Sequence, residues 1–134
     1  VAMSQITFMG KPLAQLQQEK PQIFGKVTYD ILLERTHQLG MEIVIGKGST
    51  EFGIGAALAM VCKAVLHDEK RILPVSALLE GEYGQDGIMA GVPAIIGKGG
   101  VEEIIELSLN EQEQKAFAAS CDVIRAYIAK ANAR

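Results

Sequence analysis

The stretch Ile88-Met-Ala-Gly-Val-Pro-Ala-Ile-Ile-Gly-Lys-Gly-Gly-Val-Glu-Glu-Ile-Ile-Glu-Leu107 decides the fold class. Two runs rich in Val and Ile, 88–96 and 101–107, are joined by Gly97-Lys-Gly-Gly100. Extended, β-branched runs separated by a short glycine-rich turn read as an antiparallel hairpin. Upstream, Ile72 to Leu79 reads as a further strand, with Pro74 near its start, where a missing N–H is tolerated. Strands and helices are mixed without βαβ regularity, so the chain is expected to form one α+β domain over residues 1–134.

The helices lie on either side of these strands. From Phe24 a helical period runs through Val27, Ile31, Leu32, Arg35, Leu39 and Ile43. Gly40 interrupts it at a cost of about 1 kcal/mol against Ala, which predicts a bend or a close helix contact. Gly46-Lys-Gly48 ends the pattern, with glycine available for a left-handed C-cap. Ser49 or Thr50 is placed to cap a second helix reaching about His67. That helix is apolar almost all round and is therefore expected to be buried on more than one side. Gly53, Gly55, Ala56 and Ala57 leave its first turns open to a ligand or a crossing helix. Asn110 opens the last helix with a variant of the capping box, its partner being Glu113. Phe117, Cys121, Ile124 and Ile128 form that helix's inner face. At the other end, residues 4–9 read as a short strand closed by Gly10-Lys-Pro12, and the glutamine-rich segment 13–22 as a surface loop.

Composition narrows the function. A chain of 134 residues is long enough to bury a sizeable core. Hydrophobic content of 49%, charge of 22% and a net charge of -3 describe an ordinary soluble globular protein. No basic stripe suggests a nucleic-acid partner. Lys63 and Gly97 interrupt the longest apolar stretches before membrane-spanning length, and no signal-type segment opens the chain. Cytoplasmic location is the expectation. Cys62 and Cys121 lie inside helical patterns without CxxC spacing and read as buried free thiols. Two isolated histidines and two isolated cysteines cannot supply a metal ligand set. Glu102-Glu103 and residues 111–113 read as solvated faces. Val1 opens the chain without an initiator methionine, directly into strand-like alternation, which suggests a domain of a longer protein or a cleavage product.

Among candidate chemical groups Thr50 stands out: one hydroxyl among glycines and apolar residues at a helix start. It reads either as an N-cap or as a polar contact to a small ligand in a dry pocket; the two can coexist, because a helix N-terminus favours an anion. Ile54, taken alone, is core. His37 lies mid-helix, and His67 closes a helix where a cation suits the dipole. Neither belongs to a catalytic pattern. No GxGxxG follows a strand: Gly53-Ile-Gly55 lies within the first turn of a helix, and Gly97-Lys-Gly-Gly100 joins two strands.

Lys47-Gly-Ser-Thr-Glu-Phe-Gly-Ile-Gly55, Arg71-Ile-Leu-Pro-Val-Ser76, Gly81-Glu-Tyr-Gly84, Gly91-Val-Pro-Ala-Ile-Ile-Gly97 and Leu107-Ser-Leu-Asn-Glu-Gln-Glu-Gln114 closely resemble, in order and spacing, the C-terminal half of the lactate/malate dehydrogenase family. The likeness covers nearly the whole chain and is nearest to the NAD-dependent L-lactate dehydrogenase branch. It implies a substrate-side domain of an enzyme that transfers hydride reversibly between NADH and pyruvate. On that resemblance Thr50 lines the substrate pocket and Ile54 packs against the nicotinamide ring of NAD. The family's catalytic histidine lies in a Gly-Glu-His-Gly segment, which aligns a few residues upstream of Val1. Its dinucleotide-binding domain, its carboxylate-gripping arginines and the aspartate that holds the histidine also align upstream. Arg35, Arg71, Arg125 and Arg134 do not replace those arginines. The 134-residue chain alone is therefore expected to be inactive. The implied partners are a small 2-keto or 2-hydroxy acid and further copies of the chain, as a dimer or tetramer. Malate dehydrogenase and hydroxyisocaproate dehydrogenase are the alternatives within the family, because the residue separating oxaloacetate from pyruvate lies on an upstream mobile loop. A folding and assembly module without catalysis of its own is the alternative outside it.

Overall fold

The computed structural model describes residues 2–133. The chain groups into two compact units, one up to Ala57 and one from Leu58 on, with the division falling inside a helix.

The first unit differs most from the sequence expectation. A 3-10 turn, Met3–Gln5, and a two-residue strand β1 (Thr7–Phe8) replace the strand predicted over 4–9. β1 pairs antiparallel with β2 (Lys11–Pro12) through Met9 and Gly10, both at positive φ. The segment expected to be a loop is helical, as α1 (Leu13–Glu19) and α2 (Pro21–Phe24). Glutamine and glutamate are good helix formers, and Leu13 and Leu16, spaced i,i+3, are both buried. Gln15 donates to Glu19 at 2.6 Å and Lys11 pairs with the same carboxylate at 2.7 Å. Pro21 takes the first position of α2, where its missing N–H costs nothing.

Helix α3 (Tyr29–Lys47) starts later than the periodicity suggested, because the Thr28 hydroxyl accepts the Ile31 N–H and caps it there. It passes Gly40 as one helix, and among the described residues a side chain at Gly40 would meet nothing within 4 Å. Gly48, at φ 85°, ends α3 as expected; its N–H donates to the Val44 carbonyl at 2.7 Å. No residue of α3 is buried.

Helix α4 (Phe52–Leu66) corrects a second expectation. Apolar on all sides, it was to be buried on several, yet Ala64 is its only buried residue, while Phe52 and Leu66 are 80% and 82% exposed. Hydrophobic composition states what a surface favours; burial also needs a partner, and Ala64 has one in Leu73, Ala94 and Ile96.

The second unit is organised as the sequence indicated. β3 (Arg71–Glu80), β4 (Asp86–Gly97) and β5 (Gly100–Ile104) form an antiparallel sheet in that order. Pro74 lies on an edge strand opposite Pro93, so neither missing donor interrupts the β3–β4 ladder. Gly97 faces Gly100 across a two-residue turn, Lys98–Gly99, with Gly100 at φ 89°. β5 stops at Ile104 instead of 107, because the Ile105 N–H still reaches the Pro93 carbonyl but the Leu107 N–H is taken by the Tyr83 hydroxyl.

Alternate residues of β3 and β4 face the core. Ala77, Leu79, Ile88, Ala90 and Val92 enclose Cys121 of α5 (Glu111–Asn132), with Phe117 and Ile124 partly buried beside them. Leu73, Ala94 and Ile96 pack with Ala64 near the end of α4. The Asn110–Glu113 capping box is present, with the two reciprocal bonds at 2.9 and 3.0 Å. Two details are corrected: Ile128 is exposed, lying beyond the reach of the sheet on α5, and of the two thiols only Cys121 is buried, because Cys62 lies on the uncovered surface of α4. Burial pushes the Cys121 thiol pKa up.

Candidate functional site

Gly48-Ser-Thr-Glu51 connects α3 to α4. The Gly55 N–H donates to the Glu51 carbonyl at 2.8 Å. The residue whose carbonyl accepts the first intrahelical bond occupies the N-cap, so Glu51 holds that position and Thr50 precedes it. The expectation that Ser49 or Thr50 caps α4 is thus corrected. Ser49 donates its hydroxyl to the Glu51 carboxylate at 2.5 Å, and the exposed Thr50 hydroxyl makes no hydrogen bond among the described residues.

Ile54 lies in the first turn of α4 and is 64% exposed, which removes its reading as a core residue. Side chains added at Gly53 or Gly55 would meet nothing within 4 Å, so the first turn is open to an approaching group. The N–H groups ahead of Gly55 have no acceptor inside the helix, and the positive end of its dipole lies there. Lys47, the last residue of α3, places its ammonium 4.5 Å from the Phe52 ring centroid, a cation–π contact that ties the two ends of the connection together. Lys47 and Phe52 are not spaced as neighbours on one helix, and their pairing is visible only in the fold.

The other candidates have structural places. His37 is exposed on α3, and His67 is exposed directly after α4, its N–H bonded to the Lys63 carbonyl. Arg35 bonds Gln38, and Arg71 lies 4.0 Å from Glu69. Arg125 ties α5 to the start of β4 through the Gln85 side chain and the Asp86 carbonyl. Arg134 lies outside the described residues. Tyr83, at φ 54°, accepts the Leu107 N–H and donates to the Ile105 carbonyl while its ring meets Phe117 at 5.0 Å. The Gly81-Glu-Tyr-Gly84 segment is therefore a structural corner.

Glu102 is not a plain solvated face. It pairs with Lys70, which also meets Asp68 at 3.0 Å. Asp68 accepts the Lys98 N–H and Glu102 accepts the Gly99 N–H, so the two carboxylates hold the hairpin turn. The Lys98 N–H, then Lys70, holds the Asp68 carboxyl below its usual range; Lys70, then the Gly99 N–H, does the same for Glu102. The paired carboxylates in turn raise the Lys70 ammonium pKa.

A cofactor would find little grip on this chain apart from one apolar surface. Gly53-Ile-Gly55 is helical and Gly97–Gly100 turns a hairpin, so neither forms a strand-to-helix phosphate loop. Exposed Ile54 does offer an apolar surface on which a flat ring could lie.

A family profile described as lactate/malate dehydrogenase, alpha/beta C-terminal domain, matches residues 2–134. The chain is 44% identical over 128 residues to an L-lactate dehydrogenase 3 of Bacillus cereus, covering 96% of this chain and 40% of that protein. To an L-lactate dehydrogenase of Fusobacterium nucleatum it is 44% identical over 125 residues, covering 93% and 39%. Among solved structures, the minor L-lactate dehydrogenase of Enterococcus mundtii in its ligands-bound form superposes with a TM-score of 0.86 at 37% identity, covering 94% of this chain and 40% of that one. A malate dehydrogenase from Salinibacter ruber gives 0.79 at the same identity, covering 94% and 39%. The class is thus a dehydrogenase C-terminal domain of mixed α and β structure. The chain belongs to the lactate/malate dehydrogenase family, as its α/β C-terminal domain, and spans about two fifths of the length of the curated relatives it matches.

Proposed function

We propose that this chain is the substrate-side domain of a cytoplasmic NAD-dependent L-2-hydroxy acid dehydrogenase, with pyruvate and L-lactate as the substrate pair. The observation that carries the reading is the position of Thr50. Thr50 directly precedes the N-cap of α4 and, among the described residues, its hydroxyl makes no hydrogen bond, in a chain of this family. A free hydroxyl next to a positive helix end suits a small carboxylate-bearing substrate.

Thr50 would orient the substrate through one hydrogen bond in an otherwise apolar wall. Ile54 would supply the dry surface behind the nicotinamide, excluding water from the transfer. NAD, when bound, supplies or accepts the hydride; the proton donor and the carboxylate grip belong to a part of the enzyme that these residues do not provide. Assembly into a dimer or tetramer is part of the proposal, and the apolar exposure of α3 and α4 is consistent with further covering. A malate-specific enzyme is the second reading, favoured by the likeness to the Salinibacter ruber malate dehydrogenase.

Thr50→Val in the full-length enzyme tests the proposal. Turnover should fall roughly tenfold to a hundredfold, the effect of about 1–3 kcal/mol from a lost hydrogen bond to a reacting substrate. The denaturation midpoint should hardly move, since the hydroxyl does not cap α4. A loss of stability with turnover intact would return Thr50 to a structural role.

A further inference from the structure

We propose that Lys47 and Phe52 are positioning residues for Thr50: the contact of ammonium with ring clasps the two ends of the α3–α4 connection and fixes the segment that presents the hydroxyl. The inference rests on the assignment of Thr50 to the substrate pocket. Two side-chain contacts are nested around this residue. The outer one joins Lys47 to Phe52, with the ammonium 4.5 Å from the ring centroid, and the inner one joins Ser49 to Glu51 at 2.5 Å. Thr50 lies inside both, and its own hydroxyl makes no hydrogen bond among the described residues.

Neither the backbone nor a core holds the connection in place. Gly48, at φ 85°, ends α3, and among the described residues the N–H groups of Ser49, Thr50 and Glu51 donate to no backbone carbonyl. Phe52 is 80% exposed, so burial does not fix its ring. Lys47 is exposed and, among the described residues, forms no ion pair; the ring is its partner. A clasp of this kind acts on populations. When it is broken the connection samples other arrangements, and the apparent affinity for substrate falls with the fraction of molecules that present Thr50. Turnover at saturation changes little, because bound substrate selects the presenting arrangement.

The test measures kcat and KM for pyruvate in the full-length enzyme, as wild type, Lys47→Gln, Phe52→Leu and the double variant, beside the conservative Lys47→Arg and Phe52→Trp. Each breaking variant should raise KM about twofold to fivefold with kcat changed by less than about twofold, the range that an exposed cation–ring contact can govern. The double variant should be no worse than either single one, since both remove the same contact. Arg over the ring, or Trp beneath the ammonium, should keep the wild-type KM. Melting temperatures should stay at the wild-type value, because both side chains are exposed. Wild-type KM in both breaking variants overturns the proposal, and so do KM increases that multiply in the double variant. Thr50→Val separates the two layers. If it impairs turnover while the breaking variants keep the wild-type KM, only the clasp fails. If it impairs nothing, the site assignment fails and takes the clasp with it.

Discussion

Helices α4 and α5 are both long and both touch the sheet, but they use their apolar residues differently. On α5 these residues form one stripe: Cys121 is buried, and Phe117 and Ile124 pack beside it against β3 and β4. On α4 they surround the helix, and only Ala64 near its end is buried. A one-sided stripe encodes both the need for a partner and the direction in which the partner lies. All-round apolarity encodes the need alone. The contrast extends to the two units, since the first buries Leu13 and Leu16 whereas the second carries two connected clusters on its sheet.

The largest expected effect comes from attacking that contrast directly. Leu79→Ala, at a fully buried position near the end of β3, should cost about 2–5 kcal/mol in chemical denaturation of this chain. Leu58→Ala, on the exposed part of α4, should stay within about 0.5 kcal/mol. Equal costs would mean that α4 is covered in solution.

Removing the α5 cap is a smaller perturbation. Asn110→Ala deletes the side-chain half of the capping box and should lower stability by about 1 kcal/mol. The sheet unit should be weakened while the α3–α4 connection stays as it was, which amide exchange resolved by residue can show.

Acid should loosen the hairpin by a smaller amount still. Asp68 and Glu102 have carboxyl pKa values held below their ordinary 3.8 and 4.5, so their contribution is complete above those values and is lost as pH falls through the depressed ones. Lys70 is shifted up from 10.5, so its share is complete below that value and disappears only as pH rises beyond it. Amide exchange at Lys98 and Gly99, followed into the acid range, should lose protection in wild type, and Asp68→Asn should lack that transition at Lys98. A flat profile in wild type would show that the charges do not hold the turn.

The smallest effect is expected at Ile54. Ile54→Asn should change the stability of this chain by no more than about 0.5 kcal/mol, because the side chain is already in water. In the full-length enzyme the same change should weaken NADH binding, which fluorescence titration reads. A drop of several kilocalories per mole in the isolated chain would restore Ile54 to a core.

Much of the second unit was legible in the sequence because its signals are local. Val and Ile runs around Gly97-Lys-Gly-Gly100 specify a hairpin, and Asn110 with Glu113 specifies a helix start, each through backbone preferences acting over a few residues. Gly48 marked the end of α3 for the same reason. The polar segment 13–22 reads as a loop in sequence because its two buried leucines are a weak hydrophobic signal among glutamines, and contacts elsewhere in the unit make its helices worthwhile. Of the segments carrying the family likeness, Gly81–Gly84 forms a corner held by Tyr83 and Gly91–Gly97 belongs to β4.

The sequence by itself determined the α+β class, the antiparallel pairing of β4 and β5, the end of α3 and the start of α5, since propensity, turn chemistry and caps are properties of neighbouring residues. It also singled out Thr50 and Ile54 through their family pattern. Only the tertiary structure decided that Glu51 and not Thr50 takes the N-cap of α4, that Ser49 holds the Glu51 carboxylate, and that Lys47 turns to Phe52. Each of these is a choice among partners within reach, made by the path of the chain from α3 to α4. Burial follows the same logic: a residue's hydrophobicity is its own, but exclusion from water belongs to whatever packs against it.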